Sequence, residues 1–164
     1  MNKTLWIMIG APGSGKSWAA KNILMKGSDW RYISRDEVRF SIITDEDQYF
    51  DKEDAVFHKF ISSIKSAFSD EGVFNVIADA THLNWGSRRK LLRALGQDKH
   101  KTLDIIPVYV NAPLEEIYRN NEERSGRSCV PRDVVHNMYE KITDPMDDPY
   151  DYTAIMYIDN RREK

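Results

Sequence analysis

Lys16 and Ser17 close an eight-residue run, Gly10-Ala11-Pro12-Gly13-Ser14-Gly15-Lys16-Ser17, that takes three of the chain's eight glycines. The spacing fits the phosphate-loop pattern G-x-x-x-x-G-K-[ST]. Backbone N–H groups can wrap a phosphate only where side chains are absent and positive φ is open, and glycine supplies both. In such a loop Lys16 reaches the β- and γ-phosphates of ATP and Ser17 offers its hydroxyl to Mg²⁺, while Gly10, Pro12, Gly13, Ser14 and Gly15 shape the cradle. A helix following directly would present its N-terminal dipole to the anion.

Three further segments carry groups suited to phosphoryl chemistry. Ser34-Arg35-Asp36-Glu37-Val38-Arg39 places Asp36 and Arg39 on one face if a helix starts there. The carboxylate could accept the proton of an attacking hydroxyl and the arginine could fork onto an acceptor phosphate; the same residue types also read as a surface ion pair at a helix start. Phe74-Asn75-Val76-Ile77-Ala78-Asp79 ends an apolar run with an acid, where it could hold Mg²⁺ through water. Beyond it, Thr81 and His82 extend a polar rim for the substrate, although His82 taken alone reads as a packed or solvated loop histidine. Lastly, Arg119, Arg124 and Arg127 are spaced around Gly126 and lead to Pro131. A mobile segment over 119–131 would close these arginines on ATP and neutralise transition-state charge. Its other reading is a solvated helix end, since Glu122 and Glu123 offset part of the charge.

Short β-rich runs alternating with helical periods are to position these groups, the pattern of βαβ units around a parallel sheet. Strands are predicted over Leu5 to Ile9, Tyr32 to Ser34, Phe74 to Ala78, Leu103 to Val110 and Ala154 to Ile158. Their near-continuous apolar character suits burial on both faces. Phe57, Phe60, Ile61, Ile64 and Phe68 recur at helical steps and predict a core helix from Asp51 to Ser69. Asn84 is a good N-cap for a second helix carrying Leu91, Leu92 and Leu95 and stopping at Gly96. Pro113 and Pro131 mark two more helix starts. The tail from Asp144 to Lys164 is expected to add the last strand and has no functional reading.

Composition bounds the rest. A chain of 164 residues with 41% hydrophobic content suits one domain, 1–164. Net charge is −2, so nucleic-acid binding would have to be local. Residues 45–54 are acidic and 88–101 basic, and such runs are usually solvated faces. The apolar start is cut by Gly10 and Pro12, and no targeting or membrane segment is read. The single Cys129 fits a reducing, cytoplasmic setting.

Taken together, the glycine loop, Ser34 through Arg39, Asp79-Ala80-Thr81-His82-Leu83-Asn84 and Arg119 through Val130-Pro131 with Met138-Tyr139 resemble the kinase domain of the bacteriophage-type 5′-polynucleotide kinases. The similarity spans most of residues 4–140. It implies an α/β P-loop kinase fold with five parallel strands in the order 2-3-1-4-5. It also implies ATP and Mg²⁺ held by Lys16, Ser17 and Asp79, Asp36 as general base on a 5′-hydroxyl end of DNA or RNA, and Arg39 on the acceptor's phosphate. Arg124 would be the lid arginine, with Arg119 holding phosphates. This chain departs from the family's pattern at His82, where asparagine is usual, at Ala80, where the phage member has an acid, and in a slightly longer lid. No phosphatase domain is expected after Lys164, nor an obligate protein partner. Two rival expectations stand beside this one: a P-loop kinase of a nucleoside, sugar, antibiotic or toxin-type substrate, and an ATP-binding switch without an acceptor.

Overall fold

A computed structural model describes residues 2–161; the side chain of Arg127 lies outside the described residues. Five strands form one parallel sheet in the order β2-β3-β1-β4-β5, matching the expected topology. They are β1 (Thr4–Ile9), β2 (Trp30–Ser34), β3 (Asn75–Asp79), β4 (Asp104–Asn111) and β5 (Met156–Asp159). The last strand starts and ends slightly later than its apolar run suggested. The central strand shows why the sheet must be covered twice. Leu5, Ile7 and Ile9 face one core cluster with Val56, Phe60, Ile64, Leu91 and Leu92, whereas Met8 faces another with Ala19, Ala20, Leu24 and Val108. Alternate residues of one strand therefore bury on opposite sides.

The first side is supplied by α2 (Arg35–Ile42), α3 (Glu53–Ser69) and α4 (Trp85–Ala94). The opposite side receives a short α1 (Lys16–Ala19), which widens into a π-type turn over Ala20–Leu24. Helices α5 (Leu114–Glu122) and α6 (Arg132–Glu140) pack a third cluster through Ile117, Tyr118 and Val135, joined by Val130 from the segment between them. Asn84 caps α4 through a reciprocal box with Ser87, which satisfies two of the N–H groups a helix start leaves open. Pro113 and Pro131 are the cap residues of α5 and α6.

Parallel strands bring their carboxyl ends to a single sheet edge. Gly10 after β1, Ser34 ending β2 and Asp79 ending β3 meet there, with Ser34 paired to Asp79 in register. Ligands of open α/β sheets bind at this edge. Among the described residues no helix is long and apolar enough to cross a membrane.

Candidate active site

Between β1 and α1 the glycine loop adopts the backbone its sequence asks for. Gly13 and Gly15 hold φ of 89° and 94°, in the left-handed region that other residues avoid. Space forbids a side chain as well: a Cβ on Gly13 would lie 2.4 Å from the Ile117 carbonyl, and one on Gly15 2.0 Å from Asn160 Nδ2. Two amides pin the loop from distant segments, Asn120 Nδ2 donating to Gly13 O at 3.0 Å and Asn160 Nδ2 to Ser14 O at 3.0 Å. Lys16 Nζ donates to Ala11 O at 3.0 Å, and burial lowers its pKa, with Asp79 opposing the shift. The Ser14 hydroxyl is buried without a hydrogen-bond partner.

Asp79 closes the loop's far side. Its Oδ2 accepts from Ser17 Oγ at 2.8 Å and from the Tyr32 hydroxyl, whose pKa burial and Asp79 raise. A hydroxyl and a carboxylate in contact are hard oxygen donors of the kind Mg²⁺ takes in small number beside substrate phosphates. The chain's oxygens therefore fit that ion.

Across the edge, Ser34 caps α2 by accepting from Glu37 N, so Asp36 falls in the first turn and Arg39 one turn on. Both line a cavity of about 360 Å³ shared with Pro12, Lys16, Ser17, Asp79, Thr81 and Arg124. Asp36 Oδ1 accepts from Arg39 Nη1 and from the Tyr49 hydroxyl, and Asp36 Oδ2 stands 3.7 Å from Arg124 Nη2. Arg39 is no surface residue: it is 4% exposed. Glu53 Oε1 accepts from its Nε at 2.9 Å and pairs with its Nη2 at 2.8 Å, and its guanidinium lies 4.2 Å over the Tyr49 ring. Arg35, which sequence reasoning passed over, lines the same cavity and gives Nη2 to Glu53 Oε2 at 2.9 Å while its buried Nε has no partner. Its adjacency to Asp36 was the one available signal. Glu53 and Tyr49 were also missed, since each lies beyond a loop from α2.

The structure brings Arg124, not Arg119, to this site. Arg124 lines the acceptor-side cavity and a second cavity that opens past Gly13 and Gly15, so one guanidinium borders both. Arg119 is exposed on α5, and the Arg127 side chain lies outside the described residues. Asn121 is buried and exchanges hydrogen bonds with Val130, at 2.6 and 3.0 Å, tying the two ends of the arginine segment together.

His82 does not reach the cavity, contrary to its place in the expected substrate rim. It is 5% exposed, its Nδ1 lies 2.8 Å from Met8 O, and its ring packs near Phe60. Burial pushes its pKa down to about 3. A left-handed φ of 42° turns the side chain inward at this bend, while Thr81 stays at the cavity and Thr81 O accepts from Gly10 N at 3.1 Å.

Two segments without a functional reading in the sequence, the basic run and the tail, support the site. Arg88, from the basic run, is fully buried: it forks onto Asp148 at 2.6 and 2.8 Å and donates to the carbonyls of His82 and Thr143. Through Asn160, the tail reaches the glycine loop itself.

Comparison with known proteins bears on the family and the fold. A family described as AAA domain matches residues 5–147. The L-seryl-tRNA(Sec) kinase of Methanococcus maripaludis is 30% identical over 145 residues, covering 86% of this chain and 53% of that protein. The chain thus spans about half the length of this relative. A chain in the structure of the Pnkp1/Rnl/Hen1 RNA repair complex superposes with a TM-score of 0.66 at 20% identity, covering 86% of this chain and 44% of that one. A fungal RNA kinase superposes with a TM-score of 0.60 at 16% identity, covering 94% and 74%. The fold is that of P-loop kinases.

Proposed function

The chain belongs to the AAA-domain family, and we propose that it transfers the γ-phosphoryl group of ATP to the 5′-hydroxyl end of DNA or RNA. The observation that supports this reading is one cavity bordered by the glycine-loop Lys16, by Arg124 and by the Asp36 carboxylate. A donor phosphate chain and an acceptor alcohol would meet between them. Asp36 takes the proton of the 5′-hydroxyl as its oxygen forms the new bond to Pγ, and the bond from Pγ to the β-bridging oxygen breaks to release ADP. Lys16 and Arg124 stabilise the charge spread over the transferring group. Ser17 and Asp79 would hold Mg²⁺ beside the nucleotide, and the ion would supply further neutralisation of the phosphate charge. Thr81 lines the acceptor side, and Arg39, ordered by Glu53 and Tyr49, presents positive charge to the acceptor's own phosphate.

A second reading, phosphorylation of another hydroxyl such as that of an aminoacylated tRNA or a small molecule, is favoured by the seryl-tRNA kinase similarity. Incubation with γ-labelled ATP and a 5′-hydroxyl oligonucleotide, beside seryl-tRNA and a panel of nucleosides and sugars, separates the two. Label on the oligonucleotide end is expected; label on a panel member alone transfers the function to that acceptor. Acceptor-independent ATP hydrolysis with no phosphorylated product would remove both.

A further inference from the structure

Of the chain's four tryptophans, three are used in packing or half-buried contacts. Trp6 and Trp30 stack with ring centroids 5.3 Å apart, and Trp85 leans on Tyr150 at 6.2 Å. Trp18 differs. It follows Ser17 directly, is 57% exposed, and among the described residues no aromatic ring or cation packs on its indole. An indole left in water forfeits a large apolar contact area, and this one stands beside the phosphate loop.

The cavity it lines is the second one, of about 480 Å³, bordered also by Gly13, Gly15, Asn120, Arg124 and Asn160. Asp36, which lines the first cavity, is absent from its walls. Its size falls within the range of small-molecule sites. A nucleoside triphosphate whose phosphates occupy the glycine loop, with the γ-phosphate turned to Asp36, must send its nucleoside the other way. Trp18 is the aromatic surface on that path.

We propose that Trp18 is the shelf on which the donor's nucleobase stacks, and that donor choice here is made by the area of the base rather than by reading its edge. The two amides lining the cavity each give an N–H to the loop backbone, Asn120 Nδ2 to Gly13 O and Asn160 Nδ2 to Ser14 O. Stacking accepts any π face and favours the larger one, so purine donors bind better than pyrimidine donors, with adenine and guanine close to equal. The inference rests on the reading of the glycine loop as a nucleotide phosphate site.

Intrinsic fluorescence tests it, because Trp18→Phe isolates the Trp18 signal from the other three. ADP should quench the Trp18 component, whereas inorganic pyrophosphate should bind, by competition with ADP, without quenching it. Trp18→Ala should weaken ADP by about tenfold, the scale of one base stacked on an aromatic ring, and leave pyrophosphate within about twofold. Trp18→Phe should hold ADP within about threefold, and CDP, whose smaller base keeps part of the stack, should bind wild-type protein about threefold more weakly than ADP. Equal ADP affinity in Trp18→Ala and wild type overturns the inference and leaves the kinase reading intact, as does a quench by pyrophosphate equal to that by ADP. Failure of ADP and pyrophosphate alike to bind the wild-type chain overturns both.

Discussion

Asp36 sits among cations and donors that divide its two oxygens between tasks. Arg39 and Tyr49 donate to Oδ1, and Oδ2 is the oxygen facing Arg124 at 3.7 Å. Holding one oxygen fixes the carboxylate and leaves the other toward the cavity, an arrangement suited to a general base. Replacing Asp36 by Asn keeps the shape and removes the proton acceptor, so single-turnover transfer should fall by at least about 10²-fold while ATP binding stays within about threefold. Near-wild-type transfer would take Asp36 out of the mechanism. His82 belongs to a different kind of residue prediction. Its pKa of about 3 in the fold lies below the 6.5 of an ordinary histidine, so the unfolded chain binds a proton that the folded chain refuses. Stability from this group is complete above pH 6.5 and is lost as pH falls toward 3, with a slope of up to about 1.4 kcal/mol per pH unit. His82→Asn, which tolerates the left-handed φ, should remove that slope from urea denaturation measured between pH 4 and 7. An unchanged slope would show that the imidazole titrates normally in the fold.

At the scale of elements, α3 reaches the site through Glu53, which joins Arg35 and Arg39 of α2 by salt bridges of 2.9 and 2.8 Å. Glu53→Gln should loosen both guanidiniums and raise the acceptor KM by roughly five- to thirtyfold, the span of one to two kcal/mol for a weakened charged hydrogen bond, with the ATP KM little changed. A selective rise in the ATP KM instead would place these arginines on the donor. The Arg88–Asp148 fork holds the tail against the bend after β3, with both side chains buried. Removing one member leaves a buried unpaired charge, so Arg88→Met should cost about 3 to 5 kcal/mol in urea denaturation; a loss below about 1 kcal/mol would mean that water reaches Asp148. Both contacts mark where the sequence stops being readable. The glycine loop, the Asn84 cap and the Phe60 stripe signal locally, through spacing a few residues long. Arg88 sits in a basic run that looks like any solvated face, and only a partner 60 residues away reverses that reading. Asn160 meets Ser14 across 146 residues, in a tail with no local motif.

For the molecule as a whole, the parallel order β2-β3-β1-β4-β5 sets the glycine loop at the centre of one sheet edge, with Asp79 beside it and Asp36 beyond. Alternating apolar strands and helices made the parallel sheet legible, while its order came from the kinase resemblance, and the same topology explains why motifs distant in sequence were readable as one site. The placement of charge along it was less so. Arg124 and Arg119 look alike in sequence, but Arg119 faces solvent on α5 whereas Arg124, just past the helix end, borders both cavities. The architecture gathers the glycine loop, Arg124 and Asp36 round one cavity, so the question of function reduces to whether a phosphoryl group is transferred across it. The direct measurement is single-turnover transfer from γ-labelled ATP to a 5′-hydroxyl RNA or DNA oligonucleotide, with wild-type and Asp36→Asn protein compared at matched ATP occupancy. The account predicts label released as 5′-nucleoside monophosphate on nuclease digestion of the wild-type product and almost none from the variant. Labelled inorganic phosphate formed at equal rates by both proteins, with no labelled 5′ end, would contradict it.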